Sequence, residues 1–403
     1  MTAPRFFPVP GSPRLRLLIT LAAVALVALR KSDSLLNPQF WAEDGAIFFI
    51  EAERYGGWGQ LFRPYEGYLL LLPRLVAALG APFPLTAVPA FYAWSALAVT
   101  GAIAWWLQSP RLTLRGGAFA ALALAAVPHT GEVYLTLCNL QWITALGLFA
   151  LVLARDATSL PTRAGELLLL LLTGLTGPFI VLALPLFAWR AYHRRSLWSS
   201  VLLVGALAGA AAHVPSLLAR PAVTTAVDWA PLQHAAVIGR RVVGTLFFGQ
   251  ISLPAFFFPS LAMATFGVVG FALWRRRETL PGGLLLLVAS LLVLAATGYK
   301  VRPDTWTLSE LVNGDRYFFI SKISLLWLVA ALALTSAPRV RLGLFTLLLL
   351  PLVANLPRFI FPPAPDQHWA ASCALITRGE PVWVPILPPD THILHPGRPR
   401  LAP

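Results

Sequence analysis

Residues Gly67 to Gly80 read GYLLLLPRLVAALG, and the reading of this segment decides the topology of the whole chain. As a membrane span it is short, and Pro73 and Arg74 interrupt it. Counted as a span, it inverts every later connection and puts the arginine clusters outside. Counted as an amphipathic helix on the outer membrane surface, it leaves them inside. The second reading is adopted, and it places the segment within a first outer loop of about residues 31–84.

Outward from this segment the chain is a succession of Leu- and Ala-rich runs. Hydrophobic residues make up 57% of its 403 residues, charged residues 12%, and the mean hydropathy is +0.71. A soluble domain carries about twice that charged share. The runs are continuous, without the alternation of barrel strands. The fold class is therefore an all-α polytopic membrane protein. About eleven spans are predicted, near 15–30, 85–107, 116–128, 137–154, 164–176, 178–190, 197–218, 253–274, 281–298, 317–336 and 340–356. Leu17 to Leu29, behind Arg5, Arg14 and Arg16, has the layout of a signal peptide but no clear cleavage site, so it reads as a retained first span. Gly174-Leu175-Thr176-Gly177-Pro178 breaks a helix and allows a tight turn between two spans.

With the N-terminus cytoplasmic, the inner connections hold Arg111/Arg115, Arg155/Arg163, Arg190/Arg194/Arg195, Arg275/Arg276/Arg277 and Arg339/Arg341. Each is short and carries at least two arginines, as the positive-inside rule expects. The same distribution accounts for the net charge of +14 and excludes a nucleic-acid partner, since the basic residues form no separate domain. Residues 1–356 make the membrane domain. The Pro-rich residues 357–403 are expected to form an irregular extracytoplasmic cap. Cys138 and Cys373 have no metal spacing, and whether they pair is open.

Carboxylates are scarce, 17 in all, yet Glu43, Asp44, Glu51 and Glu53 crowd into the first outer loop. Charge near a bilayer is costly unless used, so the stretch Trp41-Ala42-Glu43-Asp44-Gly45 is the leading candidate for chemistry: a general base, or a ligand to a divalent cation. The plain alternative is a solvated turn. Pro128-His129-Thr130-Gly131-Glu132 supplies a further isolated acid and a histidine in a short outer connection. Asn139, Gln141 and Trp142 behind it read as capping groups and an interfacial tryptophan. Lys300, Arg302 and Asp304, then Asp315-Arg316-Tyr317, place cations on the outer side, where topology does not require them. Arg forks match phosphate geometry. The competing reading is structural ion pairs, with Lys322 snorkelling. Arg240, Arg241 and His234 are a weaker candidate. No P-loop, dinucleotide fingerprint, zincin motif or serine-hydrolase elbow is present.

Taken together, Trp41-Ala42-Glu43-Asp44-Gly45, Glu132 and Gly314-Asp315-Arg316-Tyr317 resemble the GT-C superfamily of integral-membrane glycosyltransferases. The resemblance implies a sugar donor on a polyprenyl phosphate or pyrophosphate, used on the non-cytoplasmic face, and a glycan, lipid or protein acceptor. It implies that Asp44, with Glu43 as the alternate, takes the acceptor's proton. Glu132 would orient the acceptor, assist the base or share a cation. Arg316 and Tyr317, with Lys300, Arg302 and His129, would hold the lipid phosphate. Any metal, Mg or Mn, would sit on Asp44 and Glu132. The acidic pair runs Glu-Asp here where the mannosyltransferases typically carry Asp-Glu, so the identity of the base stays open. The competing functions are a transporter or flippase of a lipid-linked or small polar substrate, and a non-catalytic envelope-assembly protein. Abundant Ala, Leu, Arg and Pro with little Lys suggests the inner membrane of a bacterium with a GC-rich genome.

Overall fold

The structure, a computed structural model, describes residues 12–219, 231–249, 254, 256–300 and 314–397, with the side chains of residues 299 and 300 excepted. It is mostly helical. The chain opens with α1 (Pro13–Arg30) and α2 (Asp33–Leu36), then a π-helical turn (Asp44–Phe49), α3 (Ile50–Tyr55) and α4 (Leu71–Gly80). Next come α5 (Val88–Leu107), α6 (Gly117–Ala126), α7 (Leu140–Leu153), α8 (Leu160–Gly174), α9 (Phe179–Arg194) and α10 (Leu197–Leu218). α11 (Pro231–Ile238), a second π-helical turn (Gly239–Gly244) and α12 (Thr245–Phe247) precede α13 (Phe257–Arg275), α14 (Pro281–Lys300), α15 (Arg316–Leu334) and α16 (Pro338–Asn355). α17 (Trp369–Thr377) and the antiparallel pair β1 (Val382–Ile386) and β2 (Thr391–His395) close the chain.

A helix stands at each of the eleven predicted segments. Six helical segments, Leu85–Leu107, Leu197–Leu218, Phe257–Arg275, Pro281–Gly298, Arg316–Leu334 and Pro338–Arg358, are long and apolar enough to cross a membrane. This is the pattern of a multi-pass membrane protein. α6 to α9 are shorter, at 10 to 16 residues. α15 lies at the centre, with 16 residues from Phe318 to Ala333 buried. α16 is almost wholly exposed, with Leu342, Leu349 and Val353 facing outward. An apolar helix with a bare apolar face is what a lipid-facing helix presents.

α4, at ten residues and so about 15 Å, is half the length needed to cross a hydrocarbon core. It also differs from a bare surface helix, because most of it is buried beneath the first loop. Arg74 explains this. Its buried guanidinium donates to Glu51 Oε2 at 2.5 Å and Gln60 Oε1 at 3.0 Å, so the helix anchors the acidic loop.

The C-terminal segment is more regular than its prolines suggest. A lone hairpin leaves both strands as edges, so Pro385 within β1 removes no necessary ladder bond. Its end locks onto the first loop: Leu387 N–H donates to Phe40 O, and Ala42 N–H donates back to Leu387 O. Trp369 packs edge-on against Phe40 and Phe49, and its indole donates to Leu85 O at 2.9 Å. Cys138 and Cys373 are both buried, and no disulfide joins them.

Candidate active site

Glu43 and Asp44 are neighbours in the chain but end in different places. Ala42 takes a left-handed φ of +33°, and a π-helical turn begins at Asp44. Non-glycine residues rarely adopt such a φ and hold it only where their surroundings enforce it. Here the backbone pairing of Phe40 and Ala42 with Leu387 does so. Glu66 (φ +52°) and Leu135 (φ +59°) also take left-handed backbone.

Asp44 is 3% exposed. Its two oxygens accept the backbone N–H groups of Leu137 and Cys138, each at 2.8 Å. Burial pushes its carboxyl up to about 7 in spite of those two bonds. Asp44 therefore ties the first loop to the connection between α6 and α7. That connection is cross-braced throughout. Asn139 does not cap α7; it donates to Glu132 O at 2.7 Å and to Thr136 Oγ1 at 3.3 Å. Lys31 reaches Tyr134 O at 2.8 Å, and Arg30 reaches Tyr134 Oη at 3.0 Å and Val127 O at 2.9 Å.

Glu43 turns instead to a cavity of about 370 Å³. Its only bond among the described residues comes from Tyr65 Oη at 3.5 Å, long for an O–H···O contact, so the carboxylate is loosely held. The first loop contributes Tyr65, Glu66 and Tyr68 to this cavity, and the start of α7 contributes Gln141 and Trp142. The start of α9, the end of α14 and the start of α15 complete it with Phe179, Leu182, Val293, Ala296, Thr297, Arg316 and Tyr317. The lining thus combines polar and aromatic side chains with the apolar Phe179, Leu182, Val293 and Ala296. Trp142 is 7% exposed, and its indole N–H has no partner among the described residues. Cys138 also lines the cavity.

Two local features place the aromatic rim. Leu69 and Leu71 pair with the turn at 175–177: Leu71 N–H donates to Leu175 O at 2.9 Å, and Gly177 N–H to Leu69 O at 2.8 Å. Gly177 sits at φ +86°, and a Cβ there would come within 2.4 Å of Gln141 Oε1, so only glycine lets Gln141 lie beside the turn. The helix breaker read from the sequence thus sets the position of Tyr68.

Arg316 is held by Glu132. Glu132 Oε2 accepts Arg316 Nη1 at 2.5 Å, and Oε1 accepts the Arg316 backbone N–H at 2.8 Å. Glu132 is buried and does not line the cavity. Its place is behind Arg316, whose guanidinium also lies 5.1 Å from the Tyr317 ring. Asp315 pairs instead with Lys322, at 2.8 Å and 3.0 Å, and Lys322 is buried rather than snorkelling.

Of the residues expected at a site, Glu43, Arg316 and Tyr317 meet at one cavity, with Glu132 directly behind. Asp44 and His129 do not line it. Lys300 ends α14, but its side chain lies outside the described residues, as does all of Arg302. Arg240, Arg241 and His234 lie elsewhere; His234 Nε2 contacts Gly298 O at 2.9 Å. A cation shared by Asp44 and Glu132 does not fit: one carboxylate is committed to two backbone amides and the other to Arg316. Among the described residues no three His, Cys, Asp or Glu side chains gather as a metal site. Tyr65, Tyr68 and Phe179 were not singled out from the sequence, and Trp142 and Gln141 read as interface and cap. What signals them is position alone, at helix starts and loop ends on one side of the bundle. No known protein family, characterised protein or solved structure matches this chain.

Proposed function

We propose that the protein is an integral-membrane glycosyltransferase of the GT-C type, using a sugar on a polyprenyl phosphate or pyrophosphate. The observation that carries this reading is the composition of one cavity, which joins a loosely held carboxylate, a buttressed arginine and an apolar wall. Glu43 is the general base, in place of Asp44, whose oxygens are already engaged. The acceptor hydroxyl oxygen bonds to the anomeric carbon as the bond to the phosphate oxygen breaks. Glu43 takes the hydroxyl proton, and the phosphate leaves with the electron pair. Direct displacement inverts the anomeric centre.

A lipid phosphate is already a good leaving group, so stabilising its charge matters more than protonating it. Arg316 supplies that charge, and Glu132 fixes its orientation. Phe179, Leu182, Val293 and Ala296 face the first isoprene units, while Trp142 N–H, Gln141 and Tyr68 face the sugar hydroxyls. The acceptor is a glycan, lipid or protein of the cell envelope, and the setting is a bacterial inner membrane. No step is assigned to a metal.

The test is sugar transfer by the full chain in nanodiscs, from a panel of radiolabelled polyprenyl-phosphate sugars to an envelope extract. Transfer with inversion is the expected result. Movement of intact donor across proteoliposomes without transfer would replace this reading with a flippase.

A further inference from the structure

A second cavity, of about 520 Å³, lies on the other side of the Glu132–Arg316 brace, and no residue lines both. Consecutive residues divide between them: Asp315 lines the second, Arg316 the first. Two polar atoms in its lining have no partner among the described residues, His129 Nε2 and Thr130 Oγ1. His129 is 8% exposed, and its ring packs edge-on against Tyr134 and Phe319. Its Nδ1 accepts the Gly131 N–H at 2.9 Å. Burial, and then the cations Lys322, Arg30, Lys31 and Arg316, hold the ring neutral, so the hydrogen sits on Nε2, the unpartnered nitrogen. A buried donor left unpaired is costly, and a ligand that accepts from it removes that cost.

The charge of the lining says what the ligand is. Arg30, Lys322 and Arg358 face Asp315 alone. Arg30 is fixed by bonds to Phe359 O, Ala125 O and Val127 O, and Lys322 by Asp315 and Pro128 O. They supply a standing positive field, while His129 and Thr130 stand in the lining with buried polar atoms that have no partner among the described residues, beside the exposed Arg358. An excess of two cations suits a phosphate monoester, which carries about −1.5 to −2 near neutral pH, better than a single carboxylate. An apolar groove of about 550 Å³ between α13, α15 and α16 adjoins the cavity. Along α16, Leu347 and Leu350 line the groove and Pro351 and Leu352 the cavity. Near α12, Phe247 and Phe248 line the groove, and Thr245 and Gly249 the cavity.

We infer that this cavity is a second binding site, for a phosphate group, with His129 Nε2–H and Thr130 Oγ–H as its donors and the adjoining groove open to a lipid chain. The inference does not rest on glycosyl transfer. The test is native mass spectrometry of the full chain in neutral detergent, titrated separately with inorganic phosphate and with short-chain phosphatidic acid. One adduct per chain is expected at this cavity, counted in Arg316→Gln protein so that phosphate held in the first cavity is not included, and the probe that binds tells a free phosphate from a lipid-borne one. His129→Asn keeps the Nδ1-side acceptor and removes the cavity donor, and Thr130→Val is isosteric. Each weakens binding about tenfold or more. His129→Gln, which keeps a donor near Nε2, retains binding, as does Arg316→Gln in the other cavity. No adduct with either probe overturns the site. So does an adduct that survives His129→Asn and Thr130→Val, or one that only Arg316→Gln removes.

Discussion

The two ends of the helical bundle use arginine in opposite ways. At the basic end, guanidinium groups turn back onto the protein. Arg190 meets Asp156 at 2.8 Å and the carbonyl of Leu151, and Arg194 meets Asp156 at 3.1 Å. Arg111 pairs with Glu166 at 2.6 Å, and Arg276 reaches Leu332 O, Thr335 and Ser336. Both of these carbonyls belong to the last turns of their helices, Leu151 in α7 and Leu332 in α15, where the helix presents unpaired acceptors and partial negative charge. These arginines staple helix ends together. At the cavity end, Arg316 has a single carboxylate behind it and open volume in front. The difference is one of fork geometry: a guanidinium ringed by carbonyls has no face left for a ligand, whereas one buttressed from behind presents its face to the cavity.

Substitutions at the two ends test that contrast. The largest effect is expected for Glu43→Gln, which removes the proposed base and lowers turnover by about 10²–10⁴-fold with the melting temperature unchanged. Arg316→Gln comes next. Steady-state rates fall about 10²–10³-fold from lost stabilisation of the departing phosphate, accompanied by some loss of stability, because Glu132 is left buried and unpaired. At the basic end the pattern reverses. Arg190→Gln destabilises the fold by about 3 kcal/mol in chemical denaturation and leaves the rate per folded molecule untouched. A rate defect there, in folded protein, would break the division.

Asp44→Asn has a smaller effect with a pH signature. The amide turns a donor toward a backbone N–H, which costs about 1–3 kcal/mol. The folded protein holds the Asp44 proton more tightly than the unfolded chain, with a carboxyl near 7 against an ordinary value of about 4. Stability from this group is therefore full below about pH 4, falls as pH rises toward about 7, and is flat above. Thermal melts across that range detect the slope in the wild type and its absence in Asp44→Asn. The smallest effect is expected for Arg277→Gln. Among the described residues Arg277 meets the Trp274 carbonyl and, at 5.5 Å, the Trp274 ring, both on the surface, and the shift stays within about 0.5 kcal/mol.

The sequence showed where the helices lie, because a run of apolar residues between arginines leaves few alternatives. It also pointed to the first loop and to Gly314-Asp315-Arg316-Tyr317, both of which contribute residues to the first cavity. It did not resolve which of two adjacent carboxylates faces the cavity. That choice depends on the φ of Ala42 and the π-helical turn after it, both imposed by a hairpin more than 300 residues away. The same hairpin was illegible for a related reason: Pro385 and Pro388 read as breakers when taken singly, and only their pairing partner makes a strand of β1. Tyr65, Tyr68 and Trp142 were missed because nothing in their local sequence separates a cavity lining from an interfacial belt.

The most direct test of the central claim compares sugar transfer by wild type, Glu43→Gln and Asp44→Asn, each measured on protein whose folded fraction is known. The account predicts that Glu43→Gln folds normally and loses transfer, while Asp44→Asn transfers in proportion to its folded fraction. Full transfer by Glu43→Gln, with none from folded Asp44→Asn, would contradict it and return the role of base to Asp44.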